Sequence, residues 1–315
     1  MNEPLSNQVI VLTENEMSKV FQFYAASKIT RNAPGVIFAA KIADTSITAY
    51  KSGKVLFQGA GADREAARFG SLATITATKA KSSSSKGDVL PANFASLSVL
   101  GSDETGTGDF FGPITVAACF VSSDQIELVR ELGVKDSKQL TDAHMQQIAG
   151  DLKRVVTYAV LTLDNDKYNE IQSQGWSQGK IKAVLHNQAL ERVLQQMAPN
   201  TPEYILIDQF AERKVYYNHL KNESTIIRDK VLFSTKAENL HVSVATASIL
   251  ARVAFLEAMD QLSVKAGVTL PKGAGPKVDQ IACQIIRKKG EAFLKTLTKV
   301  HFANTQKALK LVYKK

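Results

Sequence analysis

Residues 97–120 read LSVLGSDETGTGDFFGPITVAACF. The apolar positions predict a strand over Leu97–Gly101 and a second over Ile114–Phe120. Two adjacent acids, Asp103 and Glu104, stand between them, followed by the turn Gly106-Thr107-Gly108. Paired carboxylates at the edge of a hydrophobic strand are costly to bury unless a cation compensates them. Successive side chains of a strand point to opposite faces, so both acids can serve one site only where the strand ends or twists. The turn is not a dinucleotide loop. Its third glycine, Gly112, comes one residue late for GxGxxG, and the chain continues as strand rather than helix. No GxxxxGK[ST] occurs, and Lys272-Gly-Ala-Gly275 lacks that spacing.

Downstream, strands are expected at Val155–Leu163 and Tyr204–Ile207. Helices are expected near 123–131, 141–152, 176–196, 242–262, 277–287 and 291–297. Strands followed by several long helices indicate an α/β domain with a central sheet and flanking helices. A third acid, Asp208, follows the apolar run Tyr204–Ile207, at the strand end where open α/β sheets place ligands. A fourth, Glu238, precedes the long apolar helix. Taken singly, each reads more simply as a cap or surface charge; the set of four is what points to metal chemistry, since hard divalent cations prefer carboxylate oxygens.

Upstream, Thr74–Lys86 carries a serine run with interspersed lysines and no hydrophobic periodicity, the composition of a flexible basic linker. Before it lies a small α+β pattern: a helix over 14–26, strands at 35–42, 46–50 and 55–58, and a helix at 62–69. The expected division is a substrate-binding domain over 1–73, a linker over 74–94 and a catalytic domain over 95–315. Residues 1–86 hold 11 lysines and arginines against six acids, with Lys51 and Lys54 at a hairpin tip where a cation can reach a phosphate. A plain solvated turn accounts for the same pair equally well.

The whole chain has 315 residues, a net charge of +9 and 44% hydrophobic residues, enough for two folded units and suited to a polyanionic partner. Its two cysteines, Cys119 and Cys283, form no CxxC pair, which speaks against a zinc ribbon or a disulfide framework. No unbroken apolar run reaches the length of about 18 residues that spans a bilayer. A cytoplasmic protein with no membrane contact is expected.

The motif residues, in order, resemble the type 2 ribonucleases H. Asp103-Glu-Thr-Gly-Thr-Gly108-Asp-Phe-Phe-Gly-Pro113 is similar to the first active-site motif of that family. Gly133-Val-Lys-Asp-Ser-Lys138-Gln-Leu140, Leu185-His-Asn187-Gln-Ala-Leu190 and Ile207-Asp208-Gln-Phe210 follow in family order. Lys236-Ala-Glu238, Ala247-Ser-Ile249-Leu-Ala-Arg252 and Val300-His-Phe-Ala-Asn-Thr305 complete the series. Gly-Thr-Gly in place of Gly-Arg-Gly, and Glu238 in place of aspartate, resemble the ribonuclease HIII branch rather than HII. The small first domain resembles the TATA-binding-protein-like domain of that branch.

The resemblance implies a ribonuclease H-like fold and an endonuclease cutting the RNA strand of RNA/DNA hybrids with two Mg²⁺ or Mn²⁺ ions. It implies 5′-phosphate and 3′-hydroxyl products, and Asp103, Glu104, Asp208 and Glu238 as catalytic metal ligands. Asp103 and Asp208 are expected to be shared between ions. Gly106, Thr107 and Gly108 are expected to read the 2′-hydroxyl; Ser137, Lys138 and Lys236 to contact phosphate; and Lys51 and Lys54 to add substrate affinity. A monomer is expected, with no protein partner implied. Adjacent Ser137 and Lys138 do not face each other as a nucleophile pair would, and His241, His301 and Trp176 read as structural. Two other readings stay open: HII-like incision at single ribonucleotides, and a non-catalytic hybrid-binding protein, which the four acids disfavour.

Overall fold

The computed structural model describes residues 6–31, 36–51, 53–69, 87–134 and 140–313. The chain divides into two compact units, Met1–Ser83 and Ser84–Lys315. The turn residue Ser52, the serine-rich stretch 74–86, and Ser137 with Lys138 lie outside the described residues.

In the first unit, β1 (Ser6–Val11), β2 (Val36–Lys41), β3 (Ser46–Tyr50) and β4 (Lys54–Gly59) form an antiparallel sheet in the order β1-β4-β3-β2. Helices α1 (Glu14–Phe23) and α2 (Ala62–Ala67) supply Met17, Val20, Ala62 and Ala66 to its core, against Phe38, Ile47, Val55 and Phe57. Thr13 and Glu16 close α1 with a reciprocal capping box. β1 was not anticipated from the sequence. The expected helix to residue 26 instead stops at Phe23 and tightens into a 3₁₀ turn over Ala25–Ser27.

The second unit is built on β5 (Val99–Thr105), β6 (Ile114–Val121), β7 (Thr157–Leu163), β8 (Tyr204–Asp208) and β9 (Val231–Ser234), in the order β7-β6-β5-β8-β9. β6 runs antiparallel to β5 and β7, whereas β5, β8 and β9 are mutually parallel. Helices follow in chain order: α3 (Ile126–Glu131), α4 (Asp142–Val155), α5 (Asn165–Ser173), α6 (Gln178–Met197) and α7 (Arg213–His219). The last four are α8 (Val242–Ala266), α9 (Pro276–Lys289), α10 (Glu291–Lys295) and α11 (Ala303–Tyr313).

Strand alternation sorts β6 between two cores. Ile114, Val116 and Ala118 pack in the core of α6, and Ala117, Cys119 and Val121 pack in that of α4 and α8. The most apolar 18-residue window of α8 has a mean hydropathy of 1.6, so by length and composition this helix could cross a membrane. Two-thirds of that window is buried against the sheet and α4, which makes it the core helix of the fold.

Residues 87–94 depart from the expected linker. Gly87 bridges to Ser234, the Asp88 amide donates to the Phe233 carbonyl, and the Asp88 carboxylate accepts from Arg213 and the Phe233 amide. Phe94 is buried. Backbone pairing and an aromatic anchor tie this stretch to β9, which its turn-rich composition did not disclose.

Candidate active site

Register places the first two acids. On the parallel pair, Ser102 of β5 lies opposite Ile207 of β8, so Asp103 and Asp208, each one residue further on, stand side by side at one end of the sheet. β9 ends in the same register at Ser234, opposite Asp208. The chain then turns through Lys236, held at φ 58°, into the short 3₁₀ turn carrying Glu238. The Ala237 amide donates to Asp208 Oδ1 at 2.9 Å and fixes this turn against the strand end.

Asp103 and Glu104 sit inside β5 rather than beyond its end, because pairing with β6 continues to Thr105. They therefore face opposite sides of the sheet. Asp103 points to the α8 side, where Ser248 donates to it. Glu104 points to the α6 side, where Lys182 Nζ donates to Oε1 at 2.7 Å and His186 Nε2 to Oε2 at 2.9 Å. Ser102 Oγ stands 2.8 Å from His186 Nδ1, so both ring nitrogens have a partner.

These environments split the two carboxyls. Burial, then repulsion from Glu104 and Asp208, pushes Asp103 up to about 8. Burial would raise Glu104 as well, but His186 and Lys182 outweigh it and hold this carboxyl down to about 2. Asp208 is raised by burial, and by Glu238 and Glu104. The four carboxylates thus share one electrostatic neighbourhood. Among the described residues, no three acid, histidine or cysteine side chains close into a ready-made metal ligand set. The oxygen-only donors nonetheless fit a hard divalent cation.

The turn after β5 is held from several sides. Gln178 Nε2 donates to the Thr107 carbonyl at 2.9 Å, Phe110 N to Gly273 O, and Asn165 Nδ2 to Gly112 O. Lys299, fully buried, donates to the carbonyls of Asp109 and Gly112. Two glycines of this turn differ in what requires them. Gly106 has φ +95°, and a Cβ there would lie 2.2 Å from the Pro113 carbonyl oxygen. At Gly108, exposed, a Cβ would meet nothing within 4 Å. Among the described residues nothing demands glycine at 108, which leaves that position open to an approaching ligand backbone. We expect Gly108→Ala to leave the melting temperature unchanged while lowering hybrid cleavage about 10- to 100-fold. Steady-state rates beside a thermal melt test this; unaltered rates would remove the turn from substrate contact.

Burial pushes Lys299 down to about 7. The unfolded chain keeps that proton up to the ordinary lysine value, so between about 7 and 10 it binds more protons than the folded state. Stability from this group therefore rises with pH across that window. Relative to Lys299→Met, the wild type should gain about 2 kcal/mol from pH 7 to pH 9 in urea unfolding. Parallel pH profiles of the two proteins would contradict it.

Lys236 is exposed beside the acids. Lys51 and Lys54 are exposed at the β3–β4 turn of the first unit. His241 caps α8 and bonds Leu97 O; burial lowers it to about 4. Sequence reasoning missed Lys182, His186 and Gln178. The i, i+4 spacing of Lys182 and His186 across the quoted Leu185-His-Asn187 motif was the available signal.

Known proteins match both units of the chain. The family model described as Ribonuclease HII matches residues 100–305, and a domain of unknown function, DUF3378, matches residues 7–83. Ribonuclease HIII of Lysinibacillus sphaericus is 60% identical over 98% of this chain and 100% of its own length. That of Listeria monocytogenes (strain EGD-e) is 50% identical over 98% of this chain and 100% of its own. The solved structure of Bst-RNase HIII in complex with Mn²⁺ is 46% identical, with a TM-score of 0.70, covering 98% of this chain and 100% of that one. The mixed sheet of the second unit and these full-length matches lead to one conclusion: the chain belongs to the ribonuclease HIII family.

Proposed function

We propose that this chain is an endoribonuclease that hydrolyses the RNA strand of RNA/DNA hybrids, leaving 5′-phosphate and 3′-hydroxyl ends. Its partner is the hybrid duplex, and its two cysteines, both free and buried, suit the cytoplasm. One observation carries the site: the parallel register that sets Asp103 beside Asp208, with Glu104 and Glu238 flanking them. These four acids would hold Mg²⁺ or Mn²⁺. Two such ions, when bound, supply charge neutralisation at the phosphate and an activated water.

The chain's own residues do the rest. Ser248 and Ala237 N orient Asp103 and Asp208, and His186 fixes Glu104. The braced turn at 106–108 presents backbone to a sugar 2′-hydroxyl, the group that separates RNA from DNA. Ser137, Lys138 and Lys236 serve the phosphates, and Lys51 and Lys54 of the first unit add affinity by the same charge.

The deciding experiment offers, with Mg²⁺ and then Mn²⁺, a uniform RNA/DNA hybrid and a DNA duplex with one embedded ribonucleotide. Efficient cleavage of the hybrid alone is expected. Comparable incision at the single ribonucleotide would favour HII-like repair, and no cleavage of either would overturn the nuclease reading.

A further inference from the structure

We propose that Lys182 is an internal counter-cation: it neutralises the acidic centre in the metal-free protein and is displaced from Glu104 when a divalent ion loads. The proposal rests on the metal-site reading above. Both oxygens of Glu104 are already taken on the α6 side, by Lys182 at 2.7 Å and His186 at 2.9 Å. Asp103 faces the other side of the sheet, toward Ser248. For Glu104 to join a centre shared with Asp103 and Asp208, it has to give up one of its donors.

The two donors are not equally free to leave. His186 is fully buried and pinned between Ser102 and Glu104, so releasing it would strand polar atoms inside the core. Lys182 has a flexible four-carbon stem, and its ammonium lies 4.1 Å from the ring centroid of Phe210, two residues past Asp208. The ammonium already touches that ring while it bonds Glu104, so it keeps a partner at the site when the carboxylate leaves. There it can meet the phosphate backbone of a bound strand, as a compact point charge does. Because linkage is reciprocal, whatever factor Lys182 subtracts from ion affinity, the ion subtracts from the Lys182–Glu104 bond.

The test titrates Mn²⁺ into the full-length, metal-free protein by calorimetry, without substrate. Lys182→Met should bind Mn²⁺ about tenfold more tightly than wild type. Lys182→Arg, which keeps the charge, should bind no more tightly than wild type. Lys180→Met, which removes a charge from the same helix where it stacks on Trp176, should change affinity less than about twofold. Labelling of Lys182 by an amine reagent, read by mass spectrometry, should rise when Mn²⁺ is added to the wild type. Unchanged or weaker binding by Lys182→Met would overturn the proposal and make Lys182 an orienting residue for Glu104. Equal tightening by Lys180→Met would overturn it in favour of general charge. If Asp208→Asn binds Mn²⁺ as wild type does, the metal-site reading itself falls; if that variant loses binding while Lys182→Met fails to tighten, only the exchange falls.

Discussion

Asp208→Asn should abolish hybrid cleavage, by about 10³-fold or more, on the order of 4 kcal/mol of barrier, while the protein stays folded and still binds hybrid. The fold should survive because the bond that the Ala237 amide donates to Oδ1 needs only a carbonyl-type oxygen, which asparagine keeps. Removing the charge also removes repulsion toward Asp103 and Glu238, so the metal-free variant should be at least as stable as wild type. What asparagine cannot supply is the anionic oxygen that a hard cation requires. Single-turnover cleavage, hybrid binding and a thermal melt together read this. Normal Mg²⁺-dependent turnover would exclude Asp208 from the centre, and loss of folding would mean that its role is structural.

The acids were legible because their residue type is expensive at strand ends unless it is used, and that expense shows without any structure. Their assembly was not legible. That Ser102 pairs with Ile207 is a long-range register, and no local pattern encodes it. The opposite orientation of Asp103 and Glu104 followed from strand alternation, but the end of β5 was placed four residues early, since Ser102–Thr105 looks polar. Lys182 and His186 escaped because a lysine at helical spacing normally marks a solvated face; only the sheet beneath α6 makes them partners of Glu104. β9 has four residues and α5 little apolar content, so neither rose above its surroundings until tertiary packing fixed it. Helix α8 was found readily, because a long run apolar on all sides is what a helix buried on several faces needs.

The largest stability effect is expected at Gly101, where that helix meets the central strand. A Cβ at this position would lie 2.5 Å from Val244 N, 2.6 Å from Ser243 Oγ and 2.7 Å from Ser243 C. Two of those atoms are backbone in the first turn of α8, so no side-chain rotation relieves the clash, and the helix has to move off β5. Gly101→Ala should therefore destabilise the protein by about 3 kcal/mol in urea unfolding. Activity should fall with it, because α8 carries Ser248, the donor to Asp103. Gly150 is the matched control: it is exposed in α4, and a Cβ there meets nothing within 4 Å. Gly150→Ala should instead stabilise by about 0.5–1 kcal/mol, through helix propensity alone. Equal effects of the two substitutions would mean that the β5–α8 approach is not as close as the structure places it; opposite signs would tie the position of the proposed metal-binding acids to the absence of one methyl group two residues before Asp103.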